Sequence, residues 1–500
     1  MFKHTIPLLS ATFIVVLSGC SGSPLRSYDS ELKEIVVQVK AGAIPQAIER
    51  LEHNNASMFA STDKDGKAVA DDKDKDILYF LEKGELLNLQ SKHREGRDTW
   101  LKADEVVRSW EDGYRTNATE LLDSIGSYLV SDRVRRYDGQ DYEKVALSTR
   151  LTLNHIMLGD FDNARVEMKK TVERETLIKS FREKEYDKLK EEGEKNQVKA
   201  DTKQLGEKGY PMAELDTPEV NQLKNGFQNA FSHYLAGYFF DVTGEPSMAE
   251  PGYRNALALQ PDNKLASEGL NKAGKGRVGP NESDVLFVVE SGFAPSWKSV
   301  TIPLPIPVNK RLVVTPLSFP VIKAENKGFV PLSLQAAGKT LPVETMVNID
   351  TMARRLLKDQ LPGIMLRTSV RAIAKSVAQD QAAKKGGTAA GLLVALASVA
   401  TEQADERSWR TLPERISVAR AILPYGKQTL EFQTGKGVYR TEINIGNRFT
   451  VIPIRLTGGA VMVGEQNVIS AMPVAQERPA KAVKGRAAVK STTKKPAAVN

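Results

Sequence analysis

"AFSHYLAGYFFDVTGEPSMAEPGYRNALALQPDN", residues 230–263, decides how the N-terminal half of the chain is read. Gly237, Ala249 and Ala256 are small residues spaced for two antiparallel helices that approach closely. Phe240 and Tyr253 fill the space between them, Gly244 makes the turn, and Pro261 stops the second helix. One such pair cannot bury its own apolar face, so it requires neighbours of the same kind.

The stretch resembles a tetratricopeptide repeat. The ending "ALALQPDN" is the specific match, and Pro246 departs from the aromatic usual at its position. Weaker copies lie upstream. "RLTLNHIMLGDFDNARVEMKKTVE" has Leu151, Gly159, Phe161 and Ala164 in matching places, then loses the pattern at Met168 and Thr171. Gly84, Leu87, Trp100 and Ala103 form another copy, and Gly42, Ile44, Ala47 and Leu51 a fourth. The resemblance implies a helical repeat domain over residues 28–273. Within it, residues 181–211 are rich in mixed charge, so the first part is expected to extend a helix and the rest to be mobile.

Near Gly274 the texture changes. Residues 274–283 read as a linker, and residues 284–465 as a β-rich α+β domain. Strands are predicted at 285–290, 299–305, 320–324, 328–335, 341–347, 416–422, 427–433, 439–445 and 448–456. "ISVARAILPYGKQTLEFQTG" alternates and turns at Pro424 to Gly426, a hairpin signal. A helical insertion starts near Asp350, is expected to break at Leu361 to Gly363, and then resumes. Its apolar run from Ala389 to Ala400 is too short to span a bilayer, so it is expected to pack on the sheet, with shallow membrane insertion as the alternative. The fold class is therefore α+β and multidomain: an N-terminal α-helical solenoid similar to tetratricopeptide repeats, then a β-rich domain with a helical insertion.

The one cysteine of the 500 residues sits in "FIVVLSGCSGS", residues 13–23. A short positive start, an apolar run and small residues make residues 1–19 a secretory signal. Leu17-Ser18-Gly19-Cys20 resembles the bacterial lipobox, which implies cleavage after Gly19 and lipidation of Cys20. By that resemblance, Ser21 favours the outer membrane, facing the periplasm. Residues 20–27 form the lipidated linker. A thiol used this way leaves no cysteine for a disulfide, a metal or a nucleophile.

The formal charge of +8 is concentrated at the ends. Residues 472–500 alone carry seven basic side chains and one acidic, so the body is close to neutral and nucleic acid is not an expected partner. Residues 466–500 form a basic Ala/Pro/Lys tail that cannot build a core. Searches for chemistry return nothing specific. Gly274 to Gly279 matches G-x-G-x-x-G, but a helix precedes it and a strand follows, the reverse of a dinucleotide site. The charged loop at 61–76 has the wrong residues for calcium. His53, His93, His155 and His233 have no partner at metal-ligand spacing. No catalytic residue, metal or cofactor is expected.

Taken in order, the lipobox, the degenerate repeats and the α+β half resemble a family of Gram-negative outer-membrane lipoproteins with tetratricopeptide repeats. The resemblance includes "LPGIMLRTSVRAIAKSVAQ" and "ERSWRTLPERISVARAILPYGKQTLEF". The family has no assigned activity, and its members tend to be encoded beside lipoproteins that activate penicillin-binding proteins. The resemblance implies a non-enzymatic scaffold that holds an envelope protein or peptide on its repeat face and the membrane through its lipid. The tail is a candidate peptidoglycan contact. The alternative is a glycan- or lipid-binding module built on the β-rich half.

Overall fold

Val285 to Val289 is apolar at every position, the mark of a strand buried on both faces. The computed structural model describes residues 28–54, 75–125, 137–275, 278–308, 311–323, 327–401 and 403–464. In it this run is the middle of β1 (Glu282–Ser291). The further strands are β2 (Ser296–Val308), β3 (Arg311–Lys323), β4 (Ser333–Ala336), β5 (Lys339–Pro342), β6 (Glu344–Asn348), β7 (Arg415–Pro424), β8 (Gly426–Thr434), β9 (Gly437–Ile445), β10 (Phe449–Leu456) and β11 (Val461–Val463). A five-stranded sheet has the order β11-β10-β1-β7-β6, with β1 parallel to β10 and antiparallel to β7. Leu286 and Val288 point into a core shared with the helices. Val285, Phe287 and Val289 point the other way, into a second core closed by the sheet β5-β4-β8-β9. The result is three layers, helices on sheet on sheet, with N-terminal helices and C-terminal strands.

The helices are α1 (Tyr28–Lys40), α2 (Ile44–Asn54), α3 (Ile77–Leu89), α4 (His93–Thr116), α5 (Ala118–Ile125), α6 (Asp141–Leu158), α7 (Phe161–Lys195), α8 (Thr202–Glu207), α9 (Pro218–Gln222), α10 (Ala230–Val242), α11 (Pro246–Leu259), α12 (Lys264–Lys272) and α13 (Ile349–Thr401). Four pairs share one internal spacing. Each turns through a residue of positive φ: Gly42 at 80°, Ser91 at 59°, Gly159 at 70° and Gly244 at 83°. Five positions on comes a small buried residue, Ala47, Gly96, Ala164 or Ala249. Nine positions on comes a large buried one, Leu51, Trp100, Met168 or Tyr253. The α6–α7 pair thus keeps the spacing where its residue types drift. Close approach is greatest between α10 and α11, where a Cβ on Gly252 would lie 2.5 Å from the Gly237 amide nitrogen.

β2 and β3 form a separate two-stranded ribbon with an unusual sequence, "SWKSVTIPLPIPV" against "RLVVTPLSFPVIK". Pro303 lies opposite Pro316, and Pro305, Pro307 and Pro320 fall on the same alternation. A proline pair has no amide hydrogen to exchange, so all five occupy positions whose backbone nitrogens face outward. Both long edges of the ribbon are thereby blunted against further strand pairing. The alternate residues Ile302, Leu304, Leu317 and Phe319 are buried in the main core.

The structure differs from the sequence reading in five places. No hairpin joins β7 to β8: the chain turns at Tyr425, but β7 pairs with β1 and β6 while β8 pairs with β4 and β9. α13 runs through Pro362 without a break, because Leu357, Leu361, Ile364 and Met365 are buried around it and hold the helix despite the lost hydrogen bond. Residues 196–211 are packed, with Leu205 and Tyr210 in the main core and the Tyr210 hydroxyl donating to the Pro320 carbonyl at 2.7 Å. Strand 328–335 shortens to β4, strand 341–347 splits into β5 and β6, and 320–324 is the end of a longer β3. The boundary at 274–283 does not divide two cores, since one buried cluster runs from Leu32 through Tyr253 to Val451. Cys20, Gly19, the 61–74 part of the charged loop and the tail 466–500 lie outside the described residues, as do the side chains of Ala389 to Ala400.

Two glycines on helices separate close packing from mere helix propensity. Gly252→Ala drives a methyl group into the backbone of α10 and is expected to lower stability by about 1–3 kcal/mol. Gly113→Ala, where a Cβ meets nothing within 4 Å, is expected to raise it by about 0.5–1 kcal/mol. Denaturant unfolding checks both. Because the core is shared, helix and strand signals are expected to shift together, and a β-half that outlasts the helices would contradict the shared core.

Candidate functional site

The residues that carry the repeat pattern do not gather into a site. Gly237, Ala249, Tyr253 and Ala256 lie inside the α10–α11 pair, while Gly244 and Pro261 lie in the turns that bound α11. Phe240 sits beside Phe239, with the Arg165 guanidinium from α7 over both rings. Leu151 and Ala164 are fully buried, Gly159 ends α6, and Phe161 packs against Phe239 and Phe449. Tyr253 also reaches the sheet: Arg420 of β7 donates to its hydroxyl at 2.6 Å and to Asp284 of β1 at 2.7 and 2.8 Å.

The inner faces of the helices are occupied by the chain's own C-terminal half. Residues 408–412, an irregular segment that turns at Arg410 and Thr411 before β7, lie against α3 and α6. The Trp409 amide donates to Glu143 at 2.7 Å, and the Arg410 and Thr411 amides donate to the two oxygens of Glu82 at 2.6 and 3.0 Å. Glu143 also accepts from the Tyr137 hydroxyl at 2.7 Å and the Gln140 amide at 3.0 Å. The Trp409 ring meets Trp100 edge-on, 6.1 Å between centroids. Burial pushes both carboxyls up, Glu82 and Glu143 each to about 7, against the opposing pull of these hydrogen bonds. Their oxygens are committed to backbone amides and hydroxyls, a structural use of the carboxylate.

Arginine-centred ionic clusters set the helices, three of them on α6 and α7. Arg150 of α6 bridges Glu85 of α3 and Glu290 of β1, with its Nε 3.1 Å from Glu85 and Nη2 3.1 Å from Glu290. Arg174 of α7 donates to Glu111 at 2.6 Å, Asp104 at 2.8 Å and Ser148 at 2.6 Å. Arg182 of α7 grips Asp141 through two bonds, 2.7 and 2.9 Å, and also donates to Glu185 at 2.6 Å. Arg367 of α13 reaches the same Glu185 at 3.4 Å.

The third cluster floors a surface cleft. Two adjoining depressions of about 180 and 160 Å³ open among α6, α7, α13 and the β2–β3 ribbon, and Arg182, Glu185, Ile364 and Arg367 line both. Lys179, Glu183 and Tyr186 stand at helical spacing on the exposed side of α7, with Tyr186 42% exposed, and Asp359 of α13 lines the same side. Cations and anions alternate here over aromatic walls from Phe181, Trp110 and Trp297. Such a surface suits a polar chain that carries both charge signs.

His93, His155 and His233 are each buried in helix pairs beside Asn88, Asp160 and Glu175 respectively. Among the described residues no group of three His, Cys, Asp or Glu side chains could hold a metal ion, and no helix is long and apolar enough to cross a membrane. None of Glu82, Glu143, Arg150, Arg182, Glu290 or the cleft was picked out by motif. Their one sequence signal is charge inside apolar runs, as in "ILYFLEKGELL", "LFVVES" and "VIPIRL". Comparison with protein families, with curated proteins and with solved structures finds no match to the chain.

The raised carboxyls give a pH dependence of definite sign. The folded state keeps protons that the unfolded state releases between about pH 4.5 and 7. This contribution to stability is therefore full below pH 4.5 and lost as pH rises through 7. Glu82→Gln removes one of the two titrating groups, so the fall in unfolding free energy from about pH 5 to pH 8 is expected to be shallower than in the wild type. Urea unfolding across that range checks it, and equal slopes would assign the titration elsewhere.

Proposed function

We propose that this is a lipid-anchored, non-enzymatic binding protein of the Gram-negative outer membrane, with its partner surface in the α7–α13 cleft. The helical half is read as degenerate tetratricopeptide repeats, and the shared turn, small-residue and large-residue spacing of the four pairs supports this reading. Such repeats take extended segments on their inner face. Here that place is taken in cis by residues 408–412, which moves an external partner to the outer cleft. That occupancy is the observation that carries the proposal.

The partner fitted by the cleft is an envelope protein segment of mixed charge. Cys20 supplies the anchor, and only seven residues separate it from α1. Fully extended, that tether reaches at most about 28 Å, which keeps the body close to the bilayer. The basic tail adds a salt-sensitive attachment to an anionic wall or surface.

A photo-crosslinking amino acid at Tyr186 is expected to trap one partner protein in intact cells, and the same group at Lys169, exposed on another part of α7, to trap none. Cys20→Ser is expected to release the protein from the outer-membrane fraction and to weaken the crosslink. Equal crosslinking at Lys169 would remove the cleft from the proposal, and membrane retention of the Cys20 variant in high salt would remove the lipid.

A further inference from the structure

A second, smaller cavity lies away from the cleft, between the α3–α4 turn, α6 and the strands β1, β10 and β11. Its volume is about 80 Å³, against roughly 30 Å³ for one water in the liquid, so it admits a group of a few heavy atoms. Its polar wall is unlike the other ionic clusters. Arg150, Arg174 and Arg420 have each of their guanidinium nitrogens bonded within the protein. Arg455 is equally buried, at 2% exposure, yet only its Nη2 is used, donating to the Thr411 carbonyl at 3.0 Å. The guanidinium lies 5.0 Å from the centre of the Phe293 ring, and its Nε and Nη1 have no hydrogen-bond partner among the described residues. Burial lowers its pKa to about 10, although Glu290 and Glu85 pull the other way.

Two acceptors complete the wall. Asn88 donates its amide to the Gly84 carbonyl at 2.8 Å, which fixes its oxygen toward His93 and Asn154. That oxygen accepts from Asn154 Nδ2 and from His93 Nδ1, the latter at 3.0 Å. The His93 ring therefore carries its hydrogen on Nδ1 and presents Nε2 as a lone pair. Among the described residues, His93 Nε2 and Asn154 Oδ1 are both buried without a hydrogen-bond partner. The residues that carry these unused donors and acceptors thus line one cavity, beside Leu153, Met157 and Met462. Buried polar groups of native proteins are almost always satisfied, so a complementary group belongs between them.

We propose that this cavity binds a small zwitterionic α-amino acid, its carboxylate on Arg455 and its ammonium on His93 Nε2 and Asn154 Oδ1. Charge selects the zwitterion over a simple anion. Glu85 and Glu290 already balance Arg150 and Arg455, and a zwitterion leaves that balance intact, whereas a lone carboxylate adds a buried negative charge. The size of the cavity selects glycine or alanine over longer side chains. This site is separate from the α7–α13 cleft and does not depend on the partner proposed there.

Calorimetric titration of the full-length protein in detergent with glycine, L-alanine and D-alanine tests it, with acetate and methylammonium as half-ligands. One saturable site for glycine or an alanine is expected, with the half-ligands at least tenfold weaker. Arg455→Gln is expected to weaken the amino acid at least tenfold. Because that variant also loses the Thr411 contact, Met462→Trp is the second arm: it fills the cavity from the edge strand β11, leaves every polar group in place, and is expected to abolish binding. No saturable heat with any of the three amino acids, acetate binding as tightly as glycine, or binding unchanged in Met462→Trp would each overturn the proposal. The first of these outcomes would assign the polar atoms to ordered water.

Discussion

Arg150 stands where the helical layer meets the five-stranded sheet. Its guanidinium is fixed on one side by Glu85 from α3 and on the other by Glu290 at the end of the central strand. Taking three charges out of water is unfavourable, and apolar residues of similar size would hold the layers at least as strongly. What the ionic cluster adds is position. A bidentate fork has one good geometry, so α6 cannot slide along α3, and neither can turn over the sheet, without stranding a buried charge. β1 is the strand on which β7 and β10 are laid, and the helix pairs pack around α3 and α6. Loss of the arginine alone would leave two carboxylates facing each other in the core, with a penalty of about 3–5 kcal/mol.

Given that join, the faces of the helical pairs that look toward the sheet are covered by the chain itself. A stack of helix hairpins leaves an inner face of apolar and polar side chains that must be covered. Here Trp409 packs on Trp100, and Glu82 and Glu143 take three consecutive backbone amides of the returning chain. This is peptide recognition performed on the protein's own segment. It also explains why two carboxyls tolerate complete burial: each receives three donors, enough to offset much of the loss of water. The cleft described above lies apart from this contact, on the outer seam where α13 lies along α7.

Much of the element order was legible in the sequence, for physical reasons. The run Val285 to Val289 reads as a strand, and Gly42, Gly159 and Gly244 mark helix pairs. What failed were inferences about partners in space. Alternation on both sides of Pro424 reads as a hairpin, but alternation records which face is buried and not which strand lies alongside. Pro362 reads as a break, but four buried neighbours hold the helix together. Leu205 and Tyr210 were masked by the charges around them. The ionic clusters and the small cavity join residues 65 and 140 positions apart, a separation that no local motif encodes.

The ribbon narrows the ways in which a partner can engage. Strand addition to an exposed edge is a common mode of capture, because unpaired backbone groups need only another extended chain. Pro303, Pro305 and Pro307 remove three successive outward donors from one edge of the ribbon, and Pro316 and Pro320 remove two from the other, where Val314 and Ser318 keep theirs. An approaching strand would find the alternating amides of a ladder interrupted on both edges. Yet Ser318 and Pro320 of this ribbon form part of the cleft wall, beside Arg182 and Arg367. A chain that enters the cleft must therefore be held by side chains, through the charges of α7 and α13, and not by β-pairing. Recognition of that kind is strongest where opposite charges meet at low salt, and it is selective for sequence because side chains carry the contact.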